Sequence, residues 1–395
     1  MATLHTGARC KAVHLTSVHR AFDNRIYHKE CATLAEAGYD VTLIAANAEG
    51  AIADRNGVRL VELKPPRNRF ERFFRAIPQL YRAALMEDAD IYHFHDPELM
   101  PIGVLLRLHG KKVIYDVHED YSGSMGSRKW IPAPLRGVAA WGVRGCERLF
   151  ADCYSKIVAA TPTIAGLFPS SKVTLVQNFP WIRELHSEDA VSYADREAIV
   201  AHVGALSMDR GLAEMAKAAE LVAATRPVKL VLAGKVFPSG CPGLEPERWH
   251  GVIEYSGLLS RPRVAELLAR SRVGIVTLHP TRNYINSQPT KLYEYMSAGI
   301  PVVASDFPVW RQVVEPSGCG LLVDPLDPAA IAAAIHWLLA HPAEAEEMGR
   351  NGRRAVNERY NWEREGANLV AAYAELAGSR EASLAERRSR STEIA

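Results

Sequence analysis

The sequence predicts an α/β protein built from two doubly wound, parallel-sheet domains. Two observations carry this: short apolar runs alternate with helical segments along the chain, and 395 residues at 48% hydrophobic content are enough for each half to bury its own core. In the first half, strands are expected at Lys11 to Val18, Tyr39 to Ala45, Val58 to Leu63, Ile91 to Phe94, Lys112 to Val117, Lys156 to Ala160 and Lys172 to Val176. A helix from about Ile26 to Ala37 follows the first strand, and Gly38 ends it. A second series opens with Ile199 to Val203 and a helix near Leu212 to Ala224. It continues through strands at Val231, Val252 to Leu259, Pro301 to Ala304 and Gly320 to Val323, then helices at Pro328 to Leu339 and Ala343 to Tyr360. Parallel sheets bind ligands outside the carboxyl ends of their strands, so the loops there are the places to seek chemistry.

Composition narrows the function classes. A formal charge of +2 with both signs interspersed gives no reason to expect nucleic acid as a partner. Six cysteines (Cys10, Cys31, Cys146, Cys153, Cys241 and Cys319) show no CxxC or Cys/His metal spacing, as expected of free thiols in a reducing cytoplasm. The opening MATLHTGARCKAVHL has too short an apolar run for a signal peptide. The most apolar long region, Gly137 to Phe168, is interrupted by Arg144, Glu147, Arg148, Asp152 and Lys156 and does not suit a membrane span. A cytoplasmic location, with peripheral contact at the inner membrane face as a further option, is the expectation. No repeat of fixed period is present.

The richest stretch is RNYINSQPTKLYEYMSAGIPVVASD, Arg282 to Asp306. A polar turn, a short helix and an apolar strand in that order suit a phosphate and ribose site. Thr290 is placed to cap the helix, whose first-turn amides and positive dipole end favour a diphosphate. Glu294, one turn in, can accept hydrogen bonds from ribose hydroxyls; a capped helix whose Glu only complements the dipole would look the same.

PTKLYEYMSAGIPVVASD also resembles the donor signature of the retaining nucleotide-sugar glycosyltransferases of the GT-B fold, in particular family four, and the likeness runs over roughly residues 10 to 376. The resemblance implies two Rossmann-like domains facing a cleft: residues 1–188 on the acceptor side, 189–360 binding the nucleotide sugar, a closing helix at 361–377 that crosses back to the first domain, and a polar, frayed tail at 378–395. The family brackets its donor loop with a Glu-x7-Glu pair. Glu294 matches the second, while Asn286 stands where the first would be. Ser287, Thr290, Lys291 and Leu292 are donor contacts by the same correspondence. Gly204 to Gly211, GALSMDRG, is a strand–glycine–helix entry whose single cation, Arg210, matches one of two family cations; Ala205 occupies the place of the other, which Lys235 or Lys291 can replace. Leu258 corresponds to a wall of the nucleobase pocket. His118, just past the strand ending at Val117, matches the family's histidine beside the transferring sugar, and Glu119 and Asp120 are candidates to orient it or to meet the acceptor.

Other loops of the first half are less specific. Asp23, Asn24 and Arg25 follow the first strand and are acceptor-site candidates, although a solvated turn with an N-cap reads the same way. Asp96 before Pro97 is a natural N-cap. Asp88-Ala89-Asp90 has the DxD spacing of a metal motif but precedes a strand, at the end opposite the expected ligand site, and reads as helix-to-strand punctuation. Arg67 to Leu85 places Phe70, Phe73, Phe74, Ile77, Leu80, Tyr81 and Ala84 at helical spacing with arginines around them; packing on its own sheet is the favoured reading, and contact with an anionic membrane the other. Ser122 to Arg128 is a glycine- and serine-rich loop of the closing kind, and Ser187 to Asp195 a hinge linker.

These readings converge on a glycosyltransferase moving a sugar from a nucleotide diphosphate sugar to a small-molecule or glycan acceptor. Retention of configuration is expected, with no cofactor and no metal. The alternatives are a nucleotide-sugar epimerase or hydrolase of the same fold, and a non-catalytic sugar-nucleotide-binding subunit.

Overall fold

The computed structural model describes residues 9–46, 56–124, 131–185, 192–237 and 251–392. The chain divides into two compact units, Met1–Asn178 together with Glu365–Ala395, and Phe179–Arg364. The first takes in the last helix from Glu365 onward.

Seven strands form the sheet of the first unit: β1 (Lys11–Thr16), β2 (Asp40–Ala45), β3 (Val58–Glu62), β4 (Ile91–Phe94), β5 (Lys112–Val117), β6 (Lys156–Ala159) and β7 (Val173–Leu175), in the order β3-β2-β1-β4-β5-β6-β7. Every pairing is parallel, with Ala12 opposite both Val41 and Ile91. The second sheet comprises β8 (Ile199–Val203), β9 (Lys229–Ala233), β10 (Ile253–Gly257), β11 (Val273–Val276), β12 (Val302–Ser305) and β13 (Gly320–Val323), in the order β10-β9-β8-β11-β12-β13 and also parallel. Helices cover both faces, so the central strands are buried on both sides and read as apolar runs. Strand order reverses between β1 and β4 and again between β8 and β11. In doubly wound sheets such reversals open the crevice that takes a ligand.

Several expectations need correction. Strand β11 was not expected: four residues broken by Gly274 carry little periodicity, yet β11 lies in the middle of its sheet. Gly274 is there for packing, because a Cβ would fall 2.3 Å from the ring of Tyr295. The helix after β1 begins as a π-helical turn, Ile26–Cys31, and continues as Ala32–Glu36, with Gly38 at φ +94° beyond it. The last helix runs Trp362–Thr392, so the tail expected to fray from Gly378 is helical. The segment after β3 comprises Arg69–Glu71, a π turn at Arg72–Ala76 and the helix Ile77–Glu87. Leu80 and Ala84 of its stripe are buried, with Ala76 beside them, and Ile77 and Tyr81 pack half-buried against the same core; Phe70, Phe73 and Phe74 are 71%, 50% and 71% exposed. Packing on the sheet therefore holds for the second half of the stripe and fails for the three phenylalanines. Of the glycine- and serine-rich stretch, Tyr121–Ser124 is a helical turn and residues 125–130 lie outside the described residues. Of the linker, 187–191 lie outside them too, while Tyr193 is buried against the second unit's core. No helix among the described residues is long and apolar enough to cross a membrane.

Candidate functional site

In the second unit, glycines clear the ends of β8 and β9. Gly204 (φ +147°) follows β8 and donates its N–H to Ala233 O at 2.8 Å; Gly234 (φ +152°) follows β9, where a Cβ would fall 1.7 Å from Gly204 O. Backbone approach this close is possible only without side chains. Across Gly204 lies the stem of Lys291, whose Cε is 3.1 Å from where a Cβ would stand. Lys291 belongs to the first turn of the helix Thr290–Ser297. That helix has Pro289 at its N-cap and no side chain capping it, so Thr290 is not the cap expected of it.

Glu294 is buried, its Oε1 accepting from Arg261 at 3.1 Å and its Oε2 from Lys291 at 3.0 Å. Burial opposes its charge, but the two cations outweigh burial and hold the carboxyl below its usual range. Two bonds leave further lone pairs on the carboxylate. Arg261 also donates to Glu184 at 2.6 Å and is a site residue missed in the sequence. It opens a helix in the loop after β10, a strand end like the others, but nothing in its spacing ties it to Glu294.

Arg210 ends the turn Met208–Arg210 and lies over the ring of Tyr284 at 5.5 Å, while the Tyr284 hydroxyl donates to Asp209 at 3.1 Å. These contacts join the turn after β8 to the polar turn before the Thr290 helix. Lys291, beside Gly204 and Ala205, stands where the missing family cation is expected; Lys235 is exposed, over Phe237 at 5.6 Å. Leu258 is 83% exposed just after β10. Asn286 is exposed at the end of the turn Arg282–Ile285. Two other candidates are turned to structural use. The Ser287 hydroxyl donates to Tyr284 O at 2.9 Å, and the Leu292 side chain is buried in the core, so neither offers its side chain outward. His202, also missed, donates from Nδ1 to Ile275 O at 3.1 Å; burial first of all lowers its pKa to about 4, and it is neutral.

In the first unit the strand ends are dense with buried charge. Arg25 is not an acceptor group. Its guanidinium is buried, donating to both oxygens of Asp116 at 3.0 and 3.2 Å and to Val176 O at 2.8 Å, and it pairs with Glu30 at 2.9 Å. Burial works against the Asp116 anion, yet Arg25, His118 and His95 hold its pKa well below the usual range; burial and the Asp116 charge push the Glu30 carboxyl well above its usual range. Asp23 is spent on the turn, its Oδ1 accepting the N–H groups of Arg25 and Ile26 at 2.8 and 3.0 Å, whereas Asn24 is exposed. Asp96 does not cap the helix it precedes. Buried, it gathers the β1 loop instead, its Oδ2 accepting from Thr16 Oγ1 at 2.8 Å and Ser17 N at 2.6 Å. In the DxD string, Asp90 accepts from Lys11 N at 3.0 Å and Asp88 pairs with Lys111, in line with punctuation.

His118 stands beyond β5 with Nδ1 3.5 Å from Asp116, its ring stacked on His95 and edge-on to His19, both at 5.3 Å. Asp116 therefore accompanies it, not Glu119 or Asp120, which are exposed; Asp120 accepts from Gly123 N at 2.7 Å. Neither ring nitrogen of His118 has a hydrogen-bond partner among the described residues, and burial, above all, lowers its pKa to about 3. It is a neutral imidazole able to donate to a substrate oxygen. His19 is the opposite case, because Asp23 and Asp96 outweigh its partial burial and raise its pKa.

Beneath His118 a buried chain runs from Asp116 to His95 Nδ1 (3.1 Å), from His95 Nε2 to His14 Nδ1 (2.9 Å), and from His14 Nε2 to the hydroxyl of Tyr373 on the last helix (3.0 Å), which also meets His93 Nδ1 at 3.0 Å. An ionised Asp116 fixes every tautomer: His95 donates to Asp116, His14 to His95, Tyr373 to His14, and His93 to Tyr373. Two groups here, His14/Glu30/His93/His95 and His95/Asp116/His118, have ligand-type atoms within 4.8 Å of one another. The Arg25 guanidinium sits against both carboxylates, donating to Asp116 and pairing with Glu30.

The fold and the loops at its strand reversals define a GT-B enzyme. The Glycosyl transferases group 1 model matches residues 197–341 and the Glycosyl transferase 4-like domain model residues 25–178. Over 297 residues the chain is 32% identical to the MMP alpha-(1->4)-mannosyltransferase of Mycolicibacterium hassiacum, covering 71% of this chain and 69% of that protein. Among solved structures it is similar to sucrose-phosphate synthase from Thermosynechococcus elongatus (TM-score 0.71, 21% identity, 94% of this chain and 100% of that one) and to Anabaena HepE in complex with UDP and glucose (TM-score 0.70, 14% identity, 93% and 100%). The chain belongs to the group 1 glycosyl transferases and is a glycosyltransferase.

Proposed function

We propose that the protein transfers a hexose from a nucleoside diphosphate sugar to an acceptor hydroxyl with retention of anomeric configuration, and that it needs no metal to do so. The observation that carries this is the meeting of Gly204, Gly234, Lys291 and Glu294 around the uncapped Thr290 helix, which offers bare backbone, a cation, a helix N-terminus and a ribose acceptor together. In the reaction the bond from the anomeric carbon to the diphosphate breaks and charge grows on the leaving oxygen. Arg210, Lys291 and the helix N-terminus stabilise that charge, the work a divalent ion does elsewhere. The acceptor oxygen bonds to the same face of the carbon, and its proton passes to the departing diphosphate. His118 donates a hydrogen bond to an oxygen of the sugar or the diphosphate, and the loops at the β1, β4 and β5 ends form the acceptor side. Lys235 adds charge at the rim, and Leu258 flanks the nucleobase.

The mannosyltransferase activity of the Mycolicibacterium relative and the UDP and glucose bound to HepE support a hexose on a nucleoside diphosphate. Asn286 puts an amide where a carboxylate would be needed for a covalent intermediate, which supports direct transfer. The test is incubation with UDP- and GDP-hexoses, with and without sugar acceptors and with EDTA, followed by NMR of the anomeric proton. A glycoside of the donor's configuration formed in EDTA is expected. A free or epimerised sugar formed equally without acceptor would instead make the protein a hydrolase or epimerase.

A further inference from the structure

We propose that the first unit docks on an anionic lipid bilayer through Phe70, Phe73 and Phe74, which places the acceptor side of the protein at a membrane surface. The inference deepens the acceptor side of the function proposed above and rests on that reading.

The three rings are a misfit on a water-facing surface. They are 71%, 50% and 71% exposed on two consecutive turns, and Phe70 and Phe74 lie with ring centroids 4.4 Å apart. Exposed apolar side chains are ordinary singly; three large rings side by side mark a surface that meets something apolar. Folding does not need them, because the same segment is held to its sheet by Ala76, Leu80 and Ala84. It is also held by Arg72, which pairs with Glu98 at 3.0 Å.

The surrounding charge selects the occupant. From Lys64 to Arg75 the chain has five cations against one acid, Glu71, which pairs with Arg75 at 2.9 Å; with Arg72 held by Glu98, the segment still has an excess of positive charge in Lys64, Arg67 and Arg69. Arginines on long stems beside aromatic rings suit the boundary between acyl chains and anionic headgroups, where the rings enter and the guanidinium groups stay with the phosphates. A protein partner would need a far larger buried area than three rings on one short helical segment provide, whereas interfacial insertion needs only one face of a helix.

The placement ties this surface to function. The segment leaves the carboxyl end of β3, and Arg72 reaches Glu98, whose Oε1 accepts from Ser17 Oγ at 2.7 Å in the loop after β1. A second exposed apolar set, Leu135, Val138 and Trp141, opens the helix Arg136–Ala151 and its preceding turn, which follow β5 and so begin at the same end of the sheet. Both lie on the side of the first unit where the acceptor loops are. A peripheral contact is what these features require, and no described helix has the length and apolarity to cross a bilayer.

The test is sedimentation of the full chain with phosphatidylcholine vesicles and with vesicles also containing phosphatidylglycerol, at low and high salt, beside the F70S/F73S/F74S variant. The variant is expected to keep the wild-type melting temperature, since its side chains are exposed. Light scattering and calorimetric titration with the nucleoside diphosphate accompany both proteins. The expected result is binding to anionic vesicles only, weakened by salt and reduced at least about tenfold in bound-to-free ratio by the substitutions. Absence of vesicle binding at low salt overturns the proposal, as does binding that the variant retains in full. Self-association that the variant abolishes, without lipid binding, overturns it in favour of a second copy of the chain. Nucleotide affinity equal in both proteins separates these failures from failure of the proposed transferase site, which would show as no nucleotide binding in either.

Discussion

The loops of the first unit consume their own charge, while those of the second are cleared by glycine and keep their cations near an unfilled helix end. Arg25, Glu30, Asp116 and three histidines are buried and linked to one another, and buried Asp96 is spent on the β1 loop, so polar residues there build shape. In the second unit Gly204 and Gly234 remove side chains altogether, and Lys291 and Arg261 converge on one carboxylate. A polar residue at a strand end is therefore not a ligand by virtue of its place; what counts is whether the fold has already spent it.

The sharpest way to break this comparison is to remove a group from the spent set. Arg25→Ala leaves the buried Asp116 anion without its main partner and is expected to cost about 3–5 kcal/mol in urea unfolding. A loss typical of surface sites would mean Arg25 is held for a ligand after all. In the second unit, Gly234→Ala forces a Cβ against Gly204 O and a disfavoured backbone conformation on alanine, so a loss of about 2 kcal/mol or more is expected, accompanied by loss of nucleotide binding. Retained binding would show that the two turns do not form the phosphate cradle.

Acid separates the units in a graded way. His14 and His93 are held well below the ordinary histidine value of 6.5 by burial first and then by neighbouring histidines, and His118 is held at about 3, whereas among the described residues the second unit has one such group, His202 at about 4. A histidine kept neutral by the fold binds fewer protons than in the unfolded chain below pH 6.5. Its contribution is complete above that pH and shrinks as pH falls, by up to about 1.4 kcal/mol per pH unit for each group. His19 and Glu30, whose pKa values the fold raises, oppose this, each favouring the folded state as pH falls. Unfolding followed from neutral to mildly acidic pH should therefore show His118→Asn flattening the loss of stability; an unchanged slope would mean His118 titrates normally. The smallest expected effect is that of Tyr373→Phe, which removes a donor and an acceptor from the end of the histidine chain and should cost about 1 kcal/mol by thermal unfolding. No change would show that the chain ends at His14.

Much of this was legible in the sequence. Strand–helix alternation gave both sheets, and the stretch around Glu294 pointed to the side proposed here for the donor, because glycine, proline and helix-start signals act locally. Partnership was not legible. Arg25 meets Asp116, 91 residues away, and Tyr373 meets His14, 359 residues away, and no local pattern announces such pairs. Arg261 was missed for the same reason, and Asp96 was read as a cap because only the fold shows that the β1 loop takes its carboxylate. The stripe from Phe70 to Ala84 has the right helical period for a core, but only its later part, around Leu80 and Ala84, packs there; Phe70, Phe73 and Phe74 precede the stretch that meets the sheet.

The measurement that reaches the central claim most directly is isothermal titration of the protein with UDP, GDP, ADP and TDP in EDTA, repeated with Lys291→Ala, Arg210→Ala and Glu294→Ala. The account predicts binding of at least one diphosphate without metal, weakened about tenfold or more by each substitution. Binding that appears only with a divalent ion, or that is indifferent to all three substitutions, would contradict it.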